Sequence, residues 1–362
     1  MACNPIPMSM TPVCASTLDL GPLRVLVDAI APGASLQASP MPGGASTRLY
    51  FRVTLPGNKS AVAMFVPDGG KPEEFQKEMV APRWPFLEVR ELLALRGVDV
   101  PAVLGEDTAR GWLLLEDLGD ATLANHLAAN PGEKRDLYAR AVKDLARAQV
   151  SLRDLPPTSV VASRAFDEDL LFWEIEHFRE WGVDARGKTM LAEDRVAFDA
   201  IAQRLAKRIA GWPRGFTHRD YQSRNLMVRK GGGLVWIDFQ DALLGPRVYD
   251  LVALLNDSYQ EFDRAFVEAR LDEFASEAGF TARGPDERVS LGTEFDRVTV
   301  QRKLKDAGRF VFIDRMKGNP SFLQFVSPTI KKARDAVARL APHDPDMAQL
   351  GEILHRTLPD EA

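Results

Sequence analysis

The sequence predicts an α+β protein of two lobes, a small strand-rich N-terminal lobe and a larger helical C-terminal lobe. Three observations carry this. The chain has 362 residues, more than one simple core usually organises. Strand-like runs crowd into the first third, whereas beyond residue 120 apolar residues recur every three or four positions. One short strand–loop–hairpin interlude interrupts the helical part. Hydrophobic residues make up 45% and charged residues 27%, with no run of about 18 apolar residues, so a soluble chain without a membrane span is expected. A formal net charge of -5 argues against a broad basic surface for nucleic acid.

Residues 1–20 lack the charged start and apolar run of a signal peptide and are expected to be a flexible tail. Cys3 and Cys14 both lie there, a usage that fits a reducing cytoplasm. Residues 21–117 form the expected N-lobe. Within it, Ser46 to Leu55 and Ala61 to Val66 read as strands split by the turn Pro56-Gly57-Asn58-Lys59. Glu73 to Arg96 carries a helical period that Pro82 and Pro85 must interrupt. Trp112 to Glu116 is a further short strand, ending at Asp117-Leu118-Gly119-Asp120. Residues 118–362 form the expected C-lobe, with helices over Leu123 to Arg153 and Phe166 to Ile209, the interlude from Phe216 to Phe239, and helices to the end.

The interlude holds the densest chemistry. His218-Arg219-Asp220 is followed after four residues by Asn225; a hairpin over Leu226 to Ile237 then delivers Asp238-Phe239. This is the order of an H-R-D-x-x-x-x-N catalytic loop and the D-F of a kinase metal site. Phosphoryl transfer asks for a carboxylate to orient the acceptor hydroxyl and take its proton, a role that falls to Asp220. Mg²⁺ prefers hard oxygen ligands, which Asn225 and Asp238 supply. His218 has no reactive task in this scheme and is expected to brace the loop.

The segment resembles the catalytic loop of the aminoglycoside phosphotransferase-like family, small-molecule relatives of protein kinases with the same two-lobe fold. Gly245-Pro246-Arg247-Val248-Tyr249-Asp250-Leu251 extends the likeness, and there Asp250 would be a scaffold residue. Within that family the chain resembles the anomeric N-acetylmuramate and N-acetylglucosamine kinases of cell-wall recycling. Four stretches carry this: GGASTRLYFRV (43–53), LLLEDLGDATL (113–123), HRDYQSRNLMV (218–228) with IDFQDA (237–242), and QRKLKDAGRFVFIDRMKGNPSFL (301–323). The resemblance implies a cytoplasmic ATP- and Mg²⁺-dependent kinase with a sugar and a nucleotide as its partners. The alternatives are phosphorylation of an aminoglycoside or another small-molecule hydroxyl, and a catalytically inactive kinase-like binding protein.

Gly43, Gly44, Ala45 and Ser46 precede a strand and are expected to bring backbone amides to the phosphates. Glu116 and Leu118 at the inter-lobe hinge would offer backbone groups to the base. Kinases place a lysine on the Ala61 to Val66 strand, but Met64 stands at that position, and Glu88 lacks the lysine it would pair with. Arg48 or Arg52 on the preceding strand could supply the missing charge. For the acceptor, Arg224 in the loop and Arg302 and Arg309 in a basic C-terminal helix are the expected contacts, suiting a neutral or anionic sugar. Trp173, Trp181 and Tyr259 are candidates to stack on its ring, though helical aromatics are more often core.

Overall fold

The computed structural model describes residues 18–42, 48–67, 83–280 and 284–361. The chain divides into two compact units, one of residues up to 84 together with 101–119, the other of 85–100 together with 120–362. None of the described helices is long and apolar enough to cross a membrane.

In the first unit, helix α1 (Gly21–Ile30) precedes strands β1 (Ala38–Pro40), β2 (Leu49–Leu55), β3 (Lys59–Phe65), β4 (Val103–Asp107) and β5 (Trp112–Glu116). They form one antiparallel sheet in the order β1-β2-β3-β5-β4. The β2–β3 turn works because Gly57 and Asn58, at φ 74° and 58°, tolerate the left-handed region. Phe51, Val53, Ala61, Ala63, Trp112 and Leu114 project from one face of the sheet, and Leu23, Leu26 and Val27 of α1 cover them. Leu18 and Leu20 also pack on this core, so the end of the 1–20 stretch is not a free tail. Helix α1 went unpredicted, although Pro22 in its first turn and the 23, 26, 27 spacing are both helix signals.

The second unit begins with α2 (Pro85–Leu95), the part of the Glu73 to Arg96 expectation that falls on described residues beyond Pro85. Its neighbourhood is fixed by Phe86 stacked on Phe239 at 5.0 Å and by the Trp236 N–H donating to the Asp99 carbonyl at 2.9 Å. These contacts place 85–100 with the helical part rather than with the sheet of the expected 21–117 lobe. Helices α3 (Leu123–Ala129), α4 (Lys134–Ser151), α5 (Glu168–His177) and α6 (Ala192–Ala210) follow. Four short strands come next: β6 (Arg214–Thr217), β7 (Leu226–Val228), β8 (Leu234–Trp236) and β9 (Leu243–Pro246). β7 pairs with β8 and β6 with β9, both antiparallel. The remaining helices are α7 (Tyr249–Leu255), α8 (Arg264–Glu277), α9 (Pro285–Lys317), α10 (Val326–Leu340) and α11 (Pro345–Thr357). The 33-residue α9 is the spine of the unit, packed by α5, α6, α7, α8 and α10.

Candidate active site

β6, buried at Phe216 and Thr217, delivers the chain into residues 218–225, and the backbone there is unusual. Arg219 and Asp238 have φ of 81° and 62°; with Asn58 they are the non-glycine residues of positive φ among those described. Such conformations persist only where their surroundings hold them. Here Asp250, fully buried in the first turn of α7, accepts from the N–H of His218 at 2.7 Å and of Arg219 at 2.9 Å. Burial pushes the Asp250 carboxyl up to about 7, although those two donors and Arg302 oppose the shift. His218 lies within the loop as a brace: its Nδ1 accepts from the Asp220 N–H at 3.3 Å. Burial lowers its pKa to about 4, so the imidazole is neutral at physiological pH.

The side chain of Asp220 is 38% exposed. Its Oδ1 accepts from Arg302 Nη2 at 3.3 Å, while Oδ2 has no hydrogen-bond partner among the described residues. Burial would raise its pKa, but Arg302, Lys305 and Arg219 outweigh that and hold it below the ordinary aspartate value. Arg302, expected from the sequence to meet substrate, is instead 2% exposed and turned onto the loop. Its Nη1 donates to the Arg219 carbonyl at 2.7 Å, and its guanidinium lies 4.7 Å from the Tyr249 ring centroid. Lys303 and Lys305 are likewise drawn inward onto Asp306, at 2.7 and 3.4 Å. Of the basic run, Arg302 thus supports the loop from behind, while Lys303 and Lys305 pair within α9. Glu174, wholly buried and absent from the expected set, sits 3.8 Å from Arg219 and accepts from Gln301 at 2.7 Å.

Asn225 donates its Nδ2 to the Asp220 carbonyl at 2.9 Å, which leaves Oδ1 as an available acceptor. The Ile237 N–H donates to the Asn225 carbonyl at 3.0 Å, so the residue preceding Asp238 is backbone-bonded to Asn225. Gln240 Nε2 donates to Asp238 Oδ1 at 3.0 Å and to Asp241 Oδ2 at 2.9 Å, and buried Arg164 fixes the Gln240 carbonyl at 3.1 Å. An amide oxygen and a carboxylate so held are a hard-oxygen donor pair that fits Mg²⁺ when phosphate oxygens complete the shell. Among the described residues no group of three or more His, Cys, Asp or Glu could hold a metal alone.

Gly43, Gly44, Ala45 and Ser46 lie outside the described residues. Met64 is 1% exposed, opposite Tyr50 and Leu113, and so is a core side chain. Glu88 accepts from the Val160 N–H within its own unit. Arg52 forms a two-pronged bridge to Asp117, at 2.8 and 3.3 Å, instead of a free guanidinium. Burial would raise the Asp117 pKa; the hydrogen bonds from Ser60, Gly119 and Arg52 prevail and lower it. Arg48 is half-buried just before β2. Glu116 accepts from the Ala102 N–H at 3.1 Å through its carboxylate. At Leu118 neither the N–H nor the carbonyl has a hydrogen-bond partner among the described residues.

Arg224 is exposed, with its guanidinium 3.5 Å over the Tyr259 ring. Arg309 lies 4.7 Å from Phe312, whose aromatic cluster includes His177 and Trp181, with Trp173 beyond. Asp257 is a second residue that the sequence did not single out. Buried to 1%, it accepts from the N–H and hydroxyl of Ser223 through Oδ2, and from the Tyr259 N–H through Oδ1 at 2.9 Å. Its only sequence signal was closeness to Tyr259.

A model of the phosphotransferase enzyme family matches residues 37–286. The N-acetylmuramate/N-acetylglucosamine kinase of Pseudomonas aeruginosa is 34% identical over 322 residues, covering 87% of each chain. That of Neisseria meningitidis is 31% identical over 325 residues, 88% of this chain and 89% of its own. Among solved structures, choline kinase LicA from Streptococcus pneumoniae superposes with a TM-score of 0.57 at 16% identity, over 89% of this chain and 99% of its own. The GDP complex of wild-type aminoglycoside 2'-phosphotransferase-IIIa gives 0.55 at 13% identity, over 88% and 98%.

Proposed function

Because the chain belongs to the phosphotransferase enzyme family, and is therefore an enzyme that phosphorylates a hydroxyl group, we propose that it transfers the γ-phosphoryl group of ATP to the anomeric hydroxyl of N-acetylmuramate and N-acetylglucosamine. The product would be the sugar 1-phosphate, as cell-wall recycling requires. The observation that carries the mechanism is the divided state of Asp220, with one oxygen fixed by Arg302 and the other open. The open oxygen accepts a hydrogen bond from the acceptor hydroxyl, aims it at the phosphorus, and takes its proton as the new P–O bond forms.

A carboxylate held below its usual pKa is a weak base. Such a base suffices where the transition state is loose and the hydroxyl is already more acidic than an ordinary sugar alcohol, as an anomeric hydroxyl is. Asn225 and Asp238 would hold Mg²⁺, which supplies charge neutralisation to the phosphate oxygens when bound. The open backbone groups of Leu118 would meet the base. Arg48 and residues 43–46 remain the proposed phosphate contacts, and Arg309 a proposed sugar contact beside its aromatic cluster.

Two measurements on one variant test the role of Asp220. Asp220→Asn should lower turnover of N-acetylmuramate with Mg-ATP by about 10²- to 10⁴-fold while nucleotide affinity, read by calorimetry, stays within about twofold. Unchanged turnover would remove Asp220 from the mechanism.

A further inference from the structure

Most arginines around the catalytic loop are committed to partners: Arg302 to Asp220 and a backbone carbonyl, Arg219 to Glu174, Arg247 to Glu287 and Glu294. Arg224 differs. It lies one residue before Asn225 and four after Asp220, is exposed, and has no carboxylate partner among the described residues. Its position is nevertheless built. The guanidinium sits 3.5 Å above the Tyr259 ring and 5.8 Å from that of Phe325, and Tyr259 and Phe325 meet edge-to-face at 4.8 Å.

One buried carboxylate sets the register of both partners. Asp257 holds Ser223, the neighbour of Arg224, and also the N–H of Tyr259. Lys332 donates to the Asp257 carbonyl at 2.6 Å, and Lys303 to the Ser258 hydroxyl at 3.3 Å, tying this segment to α10 and α9. A guanidinium stacked on an aromatic face keeps its N–H donors in plane and free at the edge, the geometry that meets a carboxylate with two parallel hydrogen bonds.

We propose that Arg224, mounted on Tyr259 and Phe325, is the specificity element that binds the carboxylate of an acidic acceptor sugar. The inference rests on the proposed function and deepens it. N-acetylmuramate differs from N-acetylglucosamine by a lactyl ether that carries a carboxylate, and Arg224 recognises that group. The turn between the two residues is tight, closed by the Gln222 N–H and Asn225 Nδ2 on the Asp220 carbonyl, both at 2.9 Å. A sugar engaged by Asp220 would thus lie next to the segment that carries Arg224.

The test compares kcat/KM for both sugars, and KM for ATP, in the wild type, Arg224→Gln, Arg224→Lys and Tyr259→Leu. Arg224→Gln should lower the ratio of N-acetylmuramate to N-acetylglucosamine kcat/KM by about 10- to 100-fold, the loss expected for a charge-assisted pair. Arg224→Lys keeps the charge without the planar fork and should recover part of the ratio. Tyr259→Leu removes the platform and should lower the ratio in the same direction. Equal losses for both sugars overturn the inference and leave the proposed function standing. So does a ratio that holds while KM for ATP rises, which assigns Arg224 to the nucleotide phosphates. Failure of the wild type to phosphorylate either sugar overturns both.

Discussion

The ionisation of Asp220 is tuned by a residue 82 positions away in sequence, Arg302. A nearly buried guanidinium favours ionisation of a neighbouring carboxylate, and it also fixes which Asp220 oxygen is left open. The sign of the pH effect follows. In the proposed mechanism Asp220 acts as a carboxylate, so activity should fall when pH drops through its pKa, and the cations that lower this pKa should move the acid limb of the profile to lower pH. Arg302→Met should therefore shift the acid limb of kcat upward and lower kcat, with a smaller effect on KM. An unmoved acid limb, measured from full pH–rate profiles, would show that Arg302 supports the fold without tuning the base.

The helices that carry these residues are registered by close packing. Gly308 of α9 faces the His177 carbonyl and Phe178 Cα, where an added Cβ would lie at 2.7 and 2.8 Å. Backbone cannot swing aside as a side chain can. Gly308→Ala should cost about 1–3 kcal/mol, seen as a lower urea midpoint at unchanged slope; an unaltered midpoint would mean the two segments can part without penalty. The same distinction between local and distant contacts decides what was legible in the sequence. The β7–β8 hairpin and the strand at Trp112–Glu116 are local patterns, and the structure has them where the pattern put them. Arg302 read as substrate-facing because helical spacing shows that residues share a face, not what that face meets. Asp257 and Glu174 were invisible for the same reason: their partners lie 34 and 127 positions away.

For the whole molecule, charge placement argues for one class of acceptor. The chain is acidic overall, at -5, yet Arg224 in the 218–225 loop is exposed, whereas Arg219 and Arg302 are buried against the loop and Lys305 is paired with Asp306. A polycationic acceptor would meet like charge there, whereas a neutral or anionic sugar would not. Kanamycin should accordingly give no turnover above background. Phosphorus-31 NMR of the product formed from Mg-ATP and N-acetylmuramate reads the position of the transferred phosphate directly. A single new phosphomonoester coupled to the anomeric proton is expected, and the same for N-acetylglucosamine. Phosphate on any other carbon, or ADP formed with free phosphate alone, would contradict transfer to the anomeric hydroxyl.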